Sequence, residues 1–205
     1  MQKTNKQKTN KIDIFIAGVG GQGTILAGKI ISTVALQRGL DVKLSETHGM
    51  AQRGGSVVTH VRLGPKVYSP LAEKGEVDFL LAFEQLEALR WLDYLAPTGT
   101  VIVNRQKLEP LPVLTGVQEY PKETIQRIRN HTERTVAVNA LQETVARENP
   151  RVINMVLVGI LASFLDYPAV EWEQALRDSL PPGLLDINEK AFYDGYHFKE
   201  KKDQG

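Results

Sequence analysis

Two hydrophobic periods alternate along the first two-thirds of this chain. Residues 12–17 are a short apolar run of β type, residues 41–46 and 56–63 are rich in strand formers, and residues 77–83, 100–103 and 135–138 repeat the pattern. Between them lie segments of helical spacing. In residues 24–38, Ile25, Leu26, Ile30, Ile31, Val34 and Ala35 fall on one face, and Gly39 supplies the stop. Residues 84–95 and 121–131 read as further helices, the first closed by Pro97 and Gly99. Residues 108–118, with Pro110, Pro112 and Gly116, read as a loop or hairpin. The run at 77–83 predicts a central strand buried on both faces.

Beyond residue 139 the pattern is helical only, over 141–147, 152–166, 170–180 and 184–199, with breaks at Pro150, Pro168 and Pro181-Pro182-Gly183. Strands alternating with helices predict an α/β fold: a mostly parallel, open, Rossmann-like sheet in three layers with right-handed crossovers. C-terminal helices, from about residue 140 to 205, pack on that sheet or form a partner surface. Residues 12–205 are expected to make one α/β domain, with residues 1–11 a disordered basic tail carrying Lys3, Lys6, Lys8 and Lys11.

Composition removes several classes. With a net charge of +1, nothing in bulk electrostatics points to nucleic acid or an anionic membrane. The chain holds no cysteine, so it offers no disulfide, no catalytic thiol and no thiolate ligand for an iron–sulfur cluster. That fits a reducing, cytoplasmic setting. The longest apolar stretch, residues 152–165, contains Asn154 and falls short of the roughly 20 residues a membrane span needs. No metal-ligand spacing is evident; His60 is a poor co-ligand for His48.

The candidate chemistry lies in two glycine-rich turns one helix apart. Gly18-Val19-Gly20-Gly21-Gln22-Gly23 follows the first strand and opens the first helix, as phosphate-binding turns do. Glu46 sits where a dinucleotide fold places its ribose-binding acid. The second turn, from Ser45 to Val57, is unusual for such a fold: His48, Gln52, Arg53, Gly54 and Gly55 follow the acid at once and crowd a ribose pocket. Arg53 offers a planar fork for carboxylate or phosphate, or pairs with Glu46 to hold the loop. Residues 23–30 nearly fit a P-loop but place Ile30 where Ser or Thr should reach magnesium. Asn104 and Asn139, at strand ends, either cap turns or face the pocket. A dinucleotide site, another phosphate ligand and a purely structural tight turn all remain open on these residues.

The residues 14–63 resemble the gamma-type subunits of 2-oxoacid:ferredoxin oxidoreductases, and within them the indolepyruvate branch. The resemblance rests on Gly18-x-Gly20-Gly21-Gln22-Gly23 and on Ser45-Glu46-x-His48-Gly49-Met50-Ala51-Gln52-Arg53-Gly54-Gly55-Ser56-Val57, with support from 138–140 and 154–159. It implies a role in oxidative decarboxylation of a 2-oxoacid to an acyl-CoA, with ferredoxin as electron acceptor. Thiamine diphosphate and iron–sulfur clusters are then expected on a large partner subunit, since this chain has neither cysteine nor a Gly-Asp-Gly thiamine signature. Coenzyme A is the co-substrate this chain could contact, and the isolated chain is expected to be inactive. The rivals are a self-sufficient NAD(P)- or FAD-dependent oxidoreductase and a nucleotide-binding regulatory module.

Overall fold

A computed structural model describes residues 11–48 and 55–199. The basic tail expected at the N-terminus therefore lies, apart from Lys11, outside the described residues, as do Gln52, Arg53 and Gly54.

The order of elements is β1 (Ile12–Val19), α1 (Thr24–Gln37), β2 (Asp41–His48), β3 (Ser56–Gly64), β4 (Val77–Ala82), α2 (Gln85–Arg90), β5 (Leu95–Asn104), α3 (Leu111–Leu114), α4 (Thr124–His131), β6 (Thr135–Val138), α5 (Ala140–Glu143), α6 (Ile153–Phe164), α7 (Ala169–Ser179) and α8 (Pro182–Tyr196). The six strands form one sheet in the order β2-β3-β1-β4-β5-β6. Pairings from β1 through β4 and β5 to β6 are parallel. The sheet is mostly parallel, as expected, and it is mixed, because β3 lies antiparallel between β2 and β1. As the sequence predicts, the second glycine-rich segment is followed by a strand, and β2 and β3 pair as a hairpin.

Strand alternation sorts the core into two layers. Ile14 and Ile16 of β1 point toward α1 and α6, while Phe15 and Ala17 point toward α2 and α4. The chain leaves β1 by way of α1 on one face and leaves β4 by way of α2 on the other. The gap between β1 and β4 is therefore the topological switch point, where open α/β sheets form a crevice at the strands' carboxyl ends.

Two boundaries differ from the sequence reading. The helix expected over 84–95 ends at Arg90, and a 3-10 turn (Leu92–Tyr94) leads straight into β5. Pro97 and Gly99 do not end an element; they sit in β5, whose register with β4 shifts between Val77 and Phe79. A Cβ on Gly99 would stand 2.7 Å from both the Val77 carbonyl and Leu95 Cδ1, so the irregular strand needs a glycine there. The helix expected over 141–147 is a four-residue α5 followed by a 3-10 turn, Val145–Arg147.

The C-terminal helices are core, not appendage. Ten consecutive residues of α6 are buried, from Ile153 to Ala162. Gly159 of α6 lies against the Phe192 backbone of α8, and Gly195 of α8 lies against the Val156 carbonyl of α6. The two helices meet backbone to backbone through this reciprocal pair of glycines. Trp172 and Phe192 fill the space beside them, both fully buried.

Candidate functional site

Because β3 runs against β1, the turn after β1 and the hairpin after β2 emerge at the same end of the sheet. Val19 pairs with Ser56, and His48 with Val57. The two glycine-rich segments touch: Gly20 N–H donates to the Gly55 carbonyl at 2.9 Å. The backbone of the first turn needs its glycines at two points. Gly21 and Gly23 have φ of +101° and +81°, and a Cβ on Gly23 would come within 2.5 Å of Asn154 Nδ2.

Gln22 decides what this turn can hold. Its Oε1 accepts from Val19 N–H at 2.7 Å, and its Nε2 donates to the Phe83 carbonyl at 3.3 Å and to Gln106 Oε1 at 3.2 Å. Asn104, 1% exposed, joins the same network, donating to the Phe83 carbonyl and to Gln106 while accepting from Ala140 N–H. These amides stitch the carboxyl ends of β1, β4 and β5 to the start of α5. They cross-link the switch point, and a cleft of about 440 Å³ lies beside them, lined by Gly21, Gln22, Gly23, Gln106 and Asn154. Gly18 is equally enclosed: a Cβ there would lie 3.0 Å from Gln22 Oε1 and 3.1 Å from Thr24 Cγ2.

Clefts remain around the turn rather than inside it. One of about 600 Å³ lies along the first turn of α1 and is lined by Gly20, Gly21, Gly23, Lys29 and Glu46. The structure therefore brings Glu46 to the glycine turn, as the sequence suggested, and Lys29 stands exposed at its rim. No side chain caps α1 at Gly23, so its first amides are presented toward this cleft. A second cleft, of about 530 Å³, runs from Val19, Gly55 and Ser56 to Leu108 and Leu111. Within it Ser56 Oγ donates to Glu87 Oε2 at 2.5 Å, and Trp91 Nε1 donates to the same oxygen at 3.3 Å. Arg90 pairs with the other Glu87 oxygen at 3.1 Å.

The structure places the remaining sequence candidates as follows. Asn139 stands at the start of α5, where its N–H donates to Glu143 Oε2 at 2.8 Å and its carbonyl accepts from 142 and 143. It lines none of these clefts. His48 is paired in the β2–β3 ladder. His60 is a core residue: its Nδ1 accepts from Ala72 N–H at 3.2 Å and its ring meets Phe15 edge-on. Burial, reinforced by the Arg62 guanidinium, pushes its pKa down. Among the described residues no group of three acidic, histidine or cysteine side chains is placed to hold a metal, and no helix is long and apolar enough to cross a membrane.

Sequence reasoning missed Gln106 and Glu84. Glu84 is 1% exposed at the end of β4. Its Oε2 caps α2 by accepting from Leu86 and Glu87 N–H, while its Oε1 accepts from Leu108 N–H and Tyr120 O–H. The sequence signal was an acid immediately before a helix, read there as part of the helix itself.

The chain belongs to the pyruvate ferredoxin/flavodoxin oxidoreductase family, whose profile matches residues 13–198. It is 39% identical over 191 residues to the indolepyruvate oxidoreductase subunit IorB of Archaeoglobus fulgidus, covering 91% of this chain and 94% of that one. Among solved structures it resembles the pyruvate oxidoreductase subunit PORC of Thermotoga maritima, with a TM-score of 0.67 and 19% identity over 93% of this chain and 96% of that one. It also resembles a 2-oxoglutarate:ferredoxin oxidoreductase from Magnetococcus marinus with 2-oxoglutarate, coenzyme A and succinyl-CoA bound, with a TM-score of 0.67 and 22% identity. That match covers 93% of this chain but 31% of the other, so the same fold there is one portion of a chain about three times as long.

Proposed function

We propose that this chain is the gamma-type subunit of a 2-oxoacid:ferredoxin oxidoreductase whose substrate is indolepyruvate or a related arylpyruvate. The observation that carries the reading is its 39% identity, across nearly its whole length, to an indolepyruvate oxidoreductase subunit. The geometry supports an accessory subunit over a self-sufficient dinucleotide enzyme, because Gln22, Asn104 and Gln106 bond to one another and to the Phe83 carbonyl across the switch point. With no cysteine in the sequence, the iron–sulfur clusters belong to a partner chain, and thiamine diphosphate with them. Those groups supply the decarboxylation and the electron path.

What this chain contributes is the rim at the sheet's carboxyl end. The uncapped start of α1 and the Lys29 ammonium suit an anionic group, such as the diphosphate of coenzyme A, held in the cleft beside Gly20, Gly21 and Gly23. Arg53, which lies outside the described residues, is a further candidate, since its guanidinium offers a planar fork to such an anion. The test is anaerobic affinity capture of the chain from its native lysate, with mass spectrometry of what accompanies it. A large thiamine- and cluster-bearing chain at near-equal stoichiometry is expected. A chain recovered alone with a bound nucleotide overturns the reading.

A further inference from the structure

Residues 105–120 form a self-contained loop between β5 and α4, and its tip is apolar. Leu111, Leu114 and Val117 are 71%, 66% and 76% exposed. Three large aliphatic side chains this exposed within seven residues are unusual on a surface that stands alone.

The loop is nonetheless firmly built. At its tip Thr115 N–H donates to the Leu111 carbonyl at 2.9 Å, Gln118 N–H to Pro112 at 2.9 Å, and Gly116 takes the left-handed φ of +73° that closes the turn. At its base one buried carboxylate holds both ends, since Glu84 Oε1 accepts from Leu108 N–H at 3.2 Å and from Tyr120 O–H at 2.5 Å. Gln85 adds two bonds, from its N–H to the Gln106 carbonyl and from its Nε2 to that of Arg105. The ends of the loop are thus pinned to the start of α2, and the exposed side chains are presented in a fixed arrangement.

The flanking charges indicate what covers this tip. Arg105, Lys107 and Lys122 are balanced by Glu109, Glu119 and Glu123, so no net basic patch accompanies the leucines and an anionic membrane surface does not complement them. A preset aliphatic knob in a ring of mixed charge matches the apolar centre and polar rim of a protein interface. Its base is continuous with the candidate site: Leu108 and Leu111 wall the cleft that begins at Gly55 and Ser56.

We propose that residues 105–120 are the docking knob by which this chain seats in an apolar hollow of the thiamine- and cluster-bearing subunit, with Glu84 as the positioning residue that presets it. This rests on the subunit reading above. Pinned before binding, the loop loses little further freedom when it docks. Seating it there would also bring the glycine-rich rim against the partner.

The experiment is reconstitution of the two full-length chains under anaerobic conditions, with affinity measured by interferometry and the small chain's melting temperature recorded separately. Leu111→Glu and Leu114→Glu alter largely exposed side chains and are expected to leave melting nearly unchanged while weakening assembly at least about tenfold, the loss of one central apolar contact. Glu84→Gln is expected to weaken assembly with a smaller loss in melting temperature than in affinity. Leu184→Glu, an exposed leucine of α8, serves as control and is expected to assemble normally. Wild-type assembly that Leu111→Glu and Leu114→Glu leave intact, or that Leu184→Glu weakens equally, overturns the knob. Wild-type chains that never associate overturn the subunit reading itself. Self-association of the small chain, abolished by the same leucine changes, would assign the knob to a second copy and also overturn the proposal.

Discussion

Gln22 does the work that a ligand does in a nucleotide-binding relative of this architecture. It bonds the ends of β1 and β4 across the switch point, and its amide reaches Gln106 on the next strand's continuation. Millimolar NAD+ or NADH is therefore expected to leave the melting temperature of the isolated chain unshifted; a saturable rise would restore the dinucleotide reading. Gly23→Ala is expected to destabilise by roughly 1–3 kcal/mol, since it combines a strained φ with a collision at Asn154. Chemical denaturation reads that directly. Arg53→Ala is expected to lower the activity of the assembled complex far more than the melting temperature of this chain; equal losses would make the arginine a structural residue. His60 gives a pH signature. It is held neutral by burial, so as pH falls below about 6.5 the unfolded chain takes up a proton that the folded one refuses. Stability contributed by the neutral ring is full above that value and declines as pH drops toward the lowered folded pKa. His60→Asn, which keeps an acceptor for Ala72 N–H, is expected to flatten the fall in melting temperature between pH 6.5 and 5.

At the scale of elements, the periodicities placed every strand and each of the longer helices. They could do so because β1 alternates Ile14 and Ile16 against Phe15 and Ala17, each pair facing a different apolar layer. What they could not show was pairing. Nothing local in 56–63 says that this strand runs antiparallel between β2 and β1; that is fixed by the hairpin register from Asp41↔Gly64 to His48↔Val57. Pro97 and Gly99 misled for a related reason, because a turn signal and a bulge signal are the same residues until a neighbouring strand is present. The glycine motif of the site was legible, and so was its placement beside Glu46. The amide network across the switch point was not, since it depends on positions 22, 104 and 106 meeting across three strands. One further element-scale outcome follows from the Gly159–Gly195 contact. Gly159→Ala is expected to force α6 and α8 apart at a cost of about 3 kcal/mol, the upper end of overpacking. Thermal melting with far-ultraviolet dichroism would show it as a lower midpoint with helix content retained below it.

For the whole molecule, charge and apolar surface lead to different expectations about assembly. A net charge of +1 provides no long-range steering, while the exposed leucines of residues 105–120 provide contact. Association with the partner is accordingly expected to change little between 50 and 500 mM salt; a steep loss of affinity would indicate a charge-driven interface. The rim holds both glycine segments at one end of one sheet, joined by the Gly20–Gly55 bond. Events at the partner's surface would reach both at once.

The burial of α6 carries a consequence for how the protein is made. All six strands have been synthesised once Val138 is complete, yet the face that α1 covers over β1 to β3 is covered over β4 and β5 by α6, which begins at Ile153, and α6 in turn needs α8, which ends at Tyr196. A ribosome therefore exposes a finished but half-bare sheet until α8 is complete. Products that stop short of α8 would be greasy, aggregation-prone fragments, and quality control would meet them before any partner subunit could.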